Sequence, residues 1–223
     1  MAQAGIHAFV GAATRKIAPR KEWFMLGIVL GNLFPDLDNY AVAIATLTGS
    51  DPHGLHRTFT HSVFTVLLVG ILFFIVARLQ GQSKWFNLGI GLGLGIAMHI
   101  VLDLVIWFNG VELLWPFGGW VNFWEGISPP VWFGKLLNPA EFLFFALFLG
   151  WLGKTARSQQ TDSEALPTLR RWTIAMWIFF LIFTPLAFVM SKGFLTIFGA
   201  FYLLALTATF VLTVRMRRTL AQA

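Results

Sequence analysis

The chain contains no cysteine and few charged residues. Asp, Glu, Lys and Arg make up 12% of its 223 residues, well below the roughly 25% that is usual in soluble domains. Without cysteine it cannot form disulfides, thiolate metal sites or a cysteine nucleophile, so a metal would have to be held by His, Asp, Glu, backbone or water. Because 57% of the residues are hydrophobic, the composition indicates a membrane-embedded protein.

Basic residues outnumber acidic ones, 16 to 10, which gives a formal net charge of +6. They lie in short clusters beside apolar runs: Arg15, Lys16, Arg20 and Lys21; Arg170 and Arg171; Arg215, Arg217 and Arg218. Such clusters are typical of membrane-protein loops that are retained in the cytoplasm. The charge therefore predicts a lipid bilayer as partner and no nucleic acid.

Apolar runs near the roughly 20 residues that a bilayer requires occur at 62–77, 85–108, 172–190 and 194–214, with shorter ones at 2–13, 23–34 and 142–153. The shorter runs could be tilted, interfacial or packed inside a bundle. A loop rich in Trp, Pro and Gly (110–139) and a polar linker (154–169) separate the later runs. We predict an all-α, multi-pass transmembrane bundle of about six or seven helices, folded as a single membrane domain over residues 1–223.

The basic clusters also predict an orientation. If every run crosses, the clusters fall on one side, which the positive-inside rule makes cytoplasmic. The segments 34–38, 56–62 and 110–139 then face outward. The two short N-terminal runs need not cross.

The span at 85–108 carries two ionisable residues, His99 and Asp103, four positions apart and therefore on one helix face. Gly91 and Gly95 continue this face and would let a neighbouring helix approach closely. A carboxylate or imidazole at membrane depth indicates a functional site by default. The pair could coordinate a metal, or it could be a structural hydrogen bond between helices.

Two short motifs on the predicted outer side carry further candidates. In FPDLD (34–38), Asp36 and Asp38 follow a proline that helps to end the preceding helix, and two carboxylates in a turn suit a divalent cation or a helix cap. In HRTFTHS (56–62), Thr60 is the expected N-cap of the next helix, which would place His61 in its first turn. Arg57 would be a fixed cation able to bind phosphate or carboxylate.

These candidates form a pattern along the chain. Four of the five histidines and three of the five aspartates fall at His7 or in FPDLD, HRTFTHS and HIVLD (99–103), all assigned to one membrane face. Alone, His7 would be an ordinary helix-packing histidine.

The order of these motifs resembles a known family. His7 with Gly11, GNLFPDLD, HRTFTHS, HIVLD and LLWPF (113–117) follow one another as in the YdjM-like family of inner-membrane metal-dependent hydrolases. The resemblance covers roughly residues 1–120, and HR-x-x-THS is its most specific element. The H-x-x-x-D helix and the P-D turn are more distantly similar to the metal sites of zinc-dependent phospholipases C and related nucleases.

This resemblance implies six metal ligands, namely His7, Asp36, His56, His61, His99 and Asp103, with Arg57 and Asp38 beside them as catalytic residues. The chain departs from the family pattern at Asn39, where histidine is common, and at Thr58, where glycine is usual. The first departure puts a role for position 39 in doubt. Neither departure touches the implied ligands.

The implied chemistry agrees with the residue types. Imidazole and carboxylate ligands without thiolate suit zinc, and also manganese or iron, and six ligands leave room for one or two ions. We expect hydrolysis of a phosphoester, in a small-molecule or lipid substrate, at the non-cytoplasmic face of a bacterial inner membrane. Residues 1–120 would hold the site, and residues 139–223 would close the bundle.

Two alternatives remain open at this point: a metal-ion carrier, and a structural or scaffold bundle with a bound metal. A carrier should show ionisable groups in several spans. The C-terminal runs contain Pro185 but no carboxylate or histidine, which favours a one-sided site. The aromatic loop 111–126 is either an interfacial anchor or a cover for the site.

Overall fold

A computed structural model describes residues 4–221. Within this range the helices are α1 (Ala4–Ala13), α2 (Phe24–Leu33), α3 (Asn39–Thr48), α4 (Val63–Gln80), α5 (Ser83–Ile106), α6 (Val131–Gln159), α7 (Leu166–Val189), α8 (Phe194–Arg215) and α9 (Arg217–Ala221). Two short strands, β1 (Val111–Glu112) and β2 (Trp120–Val121), pair as an antiparallel hairpin between α5 and α6. Short 3-10 turns precede α3 and α4.

The predicted all-α membrane bundle is confirmed. In the described part of the chain, α4 to α8 are long and apolar enough to cross a membrane. Helices α1 and α2 have 10 residues each, about 15 Å of helix, or half of the roughly 30 Å hydrocarbon core. They are packed inside the bundle, which is one of the alternatives that the sequence left open. The division between a site part and closing helices stays a prediction.

Two loop predictions were wrong. The loop predicted over 110–139 ends at Pro130, and the linker predicted over 154–169 shrinks to a short connection, because α6 runs over Val131–Gln159 and α7 begins at Leu166. Helix α6 contains Pro139 and continues through Lys154 and Arg157. A membrane helix tolerates proline where its neighbours compensate, and lysine and arginine are good helix formers beyond the apolar run.

The start of α4 also differs from the prediction. Ser62, not Thr60, is the N-cap, and its hydroxyl oxygen accepts a hydrogen bond from the backbone N–H of Phe64. His61 consequently lies in the 3-10 turn before the helix instead of in its first turn. Ser62 also donates to the backbone carbonyl of Trp115, so the hairpin loop holds this helix end.

Helices α2 and α5 are in backbone contact along a stripe of glycines. A methyl group on Gly95 would lie 2.8 Å from the Cα of Gly31, and one on Gly91 would lie 3.0 Å from the Cα of Gly27. Both separations are too short for a side chain. The small residues predicted to admit a neighbouring helix therefore do so, and they bring the end of α2 against His99.

The closing helices form a phenylalanine-rich core beside this pair. Phe142, Phe145 and Phe148 of α6 are fully buried and belong to one apolar cluster with residues of α1, α2, α7 and α8. Helix α1 packs between α2 and α6. The C-terminal half therefore fixes the helix that carries His7.

Basic residues from separate loops meet at one end of the bundle. Arg15 donates to Thr155 at the end of α6, and the Lys84 ammonium lies 4.7 Å from the ring centroid of Trp23. Asp103 lies 19 residues after Lys84 on the same helix, about 28 Å along its axis. His99 and Asp103 thus lie toward the opposite end of α5 from these basic residues.

Candidate metal centre

The structure brings seven of the eight predicted site residues into one cluster. Three groups have ligand atoms within 4.8 Å of one another: His7, His99 and Asp103; Asp36, His61 and His99; Asp38, His56 and His61. His99 belongs to the first two groups and His61 to the last two. We call the first the inner group, the second the middle group and the third the outer group. Arg57 lies beside them.

The inner group is built by two helices. His7 Nε2 lies 3.1 Å from Asp103 Oδ1, and the rings of His7 and His99 are stacked with centroids 3.7 Å apart. Their exposed fractions are 0%, 0% and 2% for His7, His99 and Asp103. The pair predicted on one face of α5 is therefore met by a third polar side chain from α1.

The tautomer of His99 follows from its partner. Its Nδ1 lies 2.8 Å from the backbone carbonyl of Asn32, which can only accept, so Nδ1 carries the proton. The Nε2 atom is left with a lone pair and points at His61 Nε2, 3.1 Å away. A hydrogen bond from the far ring nitrogen to a carbonyl is the arrangement that orients metal-binding histidines.

The middle group joins the ends of the cluster through Asp36. This residue is 2% exposed in the turn after α2, where Asn39 donates to its backbone carbonyl. Burial raises the pKa of Asp36, and the nearby histidines His7, His56 and His61 oppose that shift. Asn39, the departure from the family pattern, thus holds the turn that presents Asp36.

The outer group is formed by turns instead of helices. His56 Nδ1 lies 2.6 Å from Asp38 Oδ1, while Asp38 Oδ2 accepts from the hydroxyl of Thr60 and the backbone N–H of Arg57. Burial alone would raise the pKa of Asp38, but hydrogen bonds with His56 and His61 outweigh burial and hold it well below its usual range. Asp38, predicted as a catalytic residue, is placed where it could also be a ligand.

His61 connects the outer group to Asp103. Its Nδ1 lies 3.4 Å from Asp38 Oδ2, and its Nε2 lies 3.3 Å from Asp103 Oδ2. Burial alone would lower the pKa of His61, but hydrogen bonds to the two carboxylates outweigh burial and raise it to about 9. A protonated His61 thus holds the two carboxylates together. A divalent cation bound between them would take the place of that proton.

Arg57 is buried and largely occupied by the protein. Its Nη1 donates to the backbone carbonyl of Asn109 at 3.0 Å, and its Nη2 lies 3.6 Å from Asp103 Oδ2. Its backbone φ is +65°, a strained value for a non-glycine residue, which these side-chain contacts help to maintain. Arg57 therefore ties the end of α5 to the outer group, and its predicted contact with phosphate stays a prediction.

The donor set fits a divalent cation. It offers imidazole nitrogens and carboxylate oxygens without thiolate, which suits zinc, manganese or iron. One buried atom of the inner group, His7 Nδ1, has no hydrogen-bond partner among the described residues, and such an orphaned atom carries a free-energy cost that a cation would offset.

Sequence reasoning missed Glu141, and its conclusion that the C-terminal spans hold no carboxylate was wrong. Glu141 lies in α6 at 1% exposure, and its Oε2 accepts a hydrogen bond from the backbone N–H of Gly5 at 2.7 Å. The hydroxyl of Tyr202 accepts from the N–H of Ala4. Both satisfy orphan donors in the first turn of α1 and so position His7. Glu141 lies one residue before the predicted apolar run 142–153. A buried carboxylate next to a membrane span indicates a functional site.

The hairpin loop is hydrogen-bonded to the segment that carries the histidines of the outer group. The N–H of Glu112 donates to the carbonyl of Arg57, and the N–H of Val63 donates to the carbonyl of Leu113. A chamber of about 610 Å³ opens beside it, lined by His53, His56, Arg57, Glu112 and Trp120 among others. The loop therefore contributes to the site, in addition to exposing aromatic residues that suit a membrane interface.

His53 lies outside the three groups. It is exposed, and its backbone N–H bonds Asp51. It lines the chamber without joining any of the three groups.

Comparison with known proteins agrees with the sequence resemblance. A model of the YdjM inner membrane protein family matches residues 2–216, so the match extends beyond the first 120 residues and through the closing helices. No curated protein and no solved structure matches the chain. The five span-length helices agree with the family's description. The chain therefore belongs to the YdjM inner membrane protein family and is an integral protein of the inner membrane.

Proposed function

We propose that the chain is a membrane-bound, metal-dependent hydrolase that acts on a phosphoester. The observation that carries this proposal is the overlap of three His/Asp groups through His61 and His99. Overlapping groups can hold two ions close together, which is the arrangement of many enzymes that cleave phosphoesters. A single structural zinc needs four ligands, and seven candidates exceed that number.

Within this proposal the ligands are His7, Asp36, His56, His61, His99 and Asp103, with Asp38 at the outer end. A divalent ion supplies Lewis acidity, which activates water and stabilises the charge that develops on phosphoryl oxygens. Asn32 fixes the tautomer of His99, and Asp38 orients His56.

The two ends of the cluster would have different tasks. His56 is half-buried and lines the chamber, so the outer group is where a substrate can reach the centre. No member of the inner group lines the chamber. The inner group would then anchor the centre, and the outer group would meet the phosphoester. The side of the membrane proposed for the chamber is the non-cytoplasmic one, because the basic cluster lies at the other end.

The proposal is tested by hydrolysis assays on detergent-purified protein. Bis-p-nitrophenyl phosphate and p-nitrophenyl phosphate serve as diester and monoester probes, with the protein as isolated, after treatment with a chelator, and after return of zinc or manganese. We expect turnover that disappears with the chelator and returns with the metal. Metal-loaded, folded protein that cleaves neither these esters nor phospholipids would contradict the proposal. Metal uptake into liposomes would then favour a carrier.

A further inference from the structure

A carboxylate and an indole stand side by side on the wall of the chamber. Glu112 and Trp120 are directly paired across the β1–β2 hairpin, and both line the chamber together with His56. Directly opposed residues of an antiparallel pair point to the same face with Cβ atoms about 5 Å apart. The two side chains therefore face the same space as the outer group.

The surroundings fix the backbone of Glu112 and leave room for the ring of Trp120, which is 55% exposed. The N–H of Glu112 donates to the carbonyl of Arg57, which fixes the strand against the outer group. The indole of Trp120 lies against Gly110, where a methyl group would come within 2.5 Å of Trp120 Nε1, so only glycine leaves room for the ring. Gly110 also offers its carbonyl to Arg57. The hairpin pair and the outer group are thus parts of one structure.

The carboxylate of Glu112 forms no ion pair with any residue that the structure describes, although it is half-buried and the chain carries 16 basic residues. A negative group at the entrance of a site for a phosphoester would repel an anionic substrate. It would favour one that also carries a positive charge. An ammonium group is bound well by a carboxylate next to an aromatic face.

A second cavity indicates where the rest of the substrate lies. A groove of about 200 Å³ shares Arg57 and Asn109 with the chamber and is otherwise lined mainly by apolar residues, including Trp107, Phe108 and Leu137. The two cavities share Arg57; polar residue types predominate in the lining of the chamber and apolar ones in the lining of the groove. This arrangement suits an amphiphile that bears its polar group in the chamber and a hydrocarbon chain in the groove.

Resting on the proposed hydrolase function, we infer that the chamber selects a phosphoester whose headgroup carries an ammonium, with Glu112 and Trp120 as the recognition pair. The ligand with this headgroup would be a zwitterionic phospholipid. A soluble ammonium phosphoester shares the headgroup but leaves the groove empty.

Binding is measured first, because it does not depend on turnover. Purified full-length protein is titrated with dihexanoyl phosphatidylethanolamine, dihexanoyl phosphatidylglycerol and free phosphoethanolamine. We expect the ethanolamine lipid to bind at least about fivefold tighter than the glycerol lipid, which one ion pair with a cation–π contact can supply. We expect phosphoethanolamine alone to bind more weakly than the lipid.

Two variants test whether Glu112 and Trp120 cause the preference for the ethanolamine lipid. Glu112→Gln and Trp120→Leu should each reduce the ethanolamine preference to less than about twofold while metal content is retained. The matched controls are Glu125→Gln, an exposed glutamate of the same loop, and Trp132→Leu, an exposed tryptophan of α6. Both controls should keep the preference.

The two proposals fail separately. Selective binding without hydrolysis would support the headgroup site and overturn the hydrolase. Hydrolysis with equal use of both lipids, or a preference that survives Glu112→Gln, would overturn the headgroup site and leave the hydrolase standing. Tighter binding of free phosphoethanolamine than of the lipid would contradict the inference that the ammonium headgroup belongs to a phospholipid.

Discussion

The inner and outer groups contain the same residue types but are built differently. The inner group lies on α1 and α5, where its positions are set by backbone contacts between helices and each member is at most 2% exposed. The outer group lies in the turns before α3 and α4, and side-chain hydrogen bonds to Asp38 hold it together. His56 in that group is half-buried.

Under the proposed function, this structural difference would assign metal retention to the inner group and reaction with substrate to the outer group. Packed helices keep ligands in fixed positions and exclude water, which favours tight binding. A turn at the edge of a chamber leaves a face open to substrate, which reactions require. Changes to the inner group should therefore remove the whole centre, while changes to the outer group should affect chemistry first.

The largest effect is expected for Asp103→Asn. If Asp103 only bridged helices, Asn would preserve a hydrogen bond at little cost, since measured intramembrane hydrogen bonds average about 0.6 kcal/mol. If Asp103 is a metal ligand, its replacement by Asn removes the negative charge that the cation needs. Metal content and phosphoester hydrolysis should then fall together at least about tenfold. Metal analysis and activity are measured on the same monodisperse protein.

The matched control is Asp51→Asn, which changes an exposed aspartate whose carboxylate bonds only the nearby N–H of His53. It should retain metal and activity. Full metal content in Asp103→Asn would remove Asp103 from the centre.

The next largest effect is expected in the outer group. His56→Ala should lower hydrolysis at least about tenfold but leave part of the metal, because the inner group is unchanged. His53→Ala, three residues earlier and outside the three groups, should keep most of the metal. Metal content and turnover are compared for both variants. If His53→Ala proved as damaging as His56→Ala, the outer group would be assigned wrongly.

A smaller effect is expected where the backbones of α2 and α5 meet. Gly95→Ala forces backbone atoms apart and should cost about 1–3 kcal/mol, as overpacking does. Gly93→Ala, two residues away on the same helix, meets only ordinary contacts, with Val66 Cγ1 3.7 Å away. Thermal unfolding in detergent should therefore show a lower midpoint for Gly95→Ala alone. Equal midpoints would mean that this contact does not fix the inner group.

The orientation of the protein in the membrane can be measured without changing any site residue. Reporters fused after Gly81 or Gln160 should behave as cytoplasmic, because the nearby basic residues are retained inside, and one near Gly118 should behave as external. The opposite pattern would move the outer group to the cytoplasmic face and make a cytosolic substrate the better proposal.

Much of the site was readable from the sequence because its residues are rare in this composition. A histidine and an aspartate four apart in an apolar span, and HR-x-x-THS at the start of another, stand out against 57% hydrophobic residues. Their convergence was predicted from shared sidedness and from family resemblance, and the structure places them together. Glycine spacing predicted the helix contact correctly.

Other features depend on tertiary contacts that hydropathy does not encode. Glu141 sits just outside the apolar run by which α6 was recognised, and its partner Gly5 is 136 residues away. Helix α3 lacks a strong apolar run, so it was not predicted. The N-cap of α4 is Ser62 and not the predicted Thr60, because the Thr60 hydroxyl donates a hydrogen bond to Asp38 instead.

Elemental analysis of the purified protein tests the central claim most directly. After extensive dialysis of detergent-solubilised, monodisperse protein, we predict at least about one zinc, manganese or iron per chain, since the cluster supplies more than the four ligands that a structural zinc uses. The metal should be absent from a His99→Ala protein, which lacks the side chain shared by the inner and middle groups. Folded wild-type protein that contains no metal and takes up none would contradict the account.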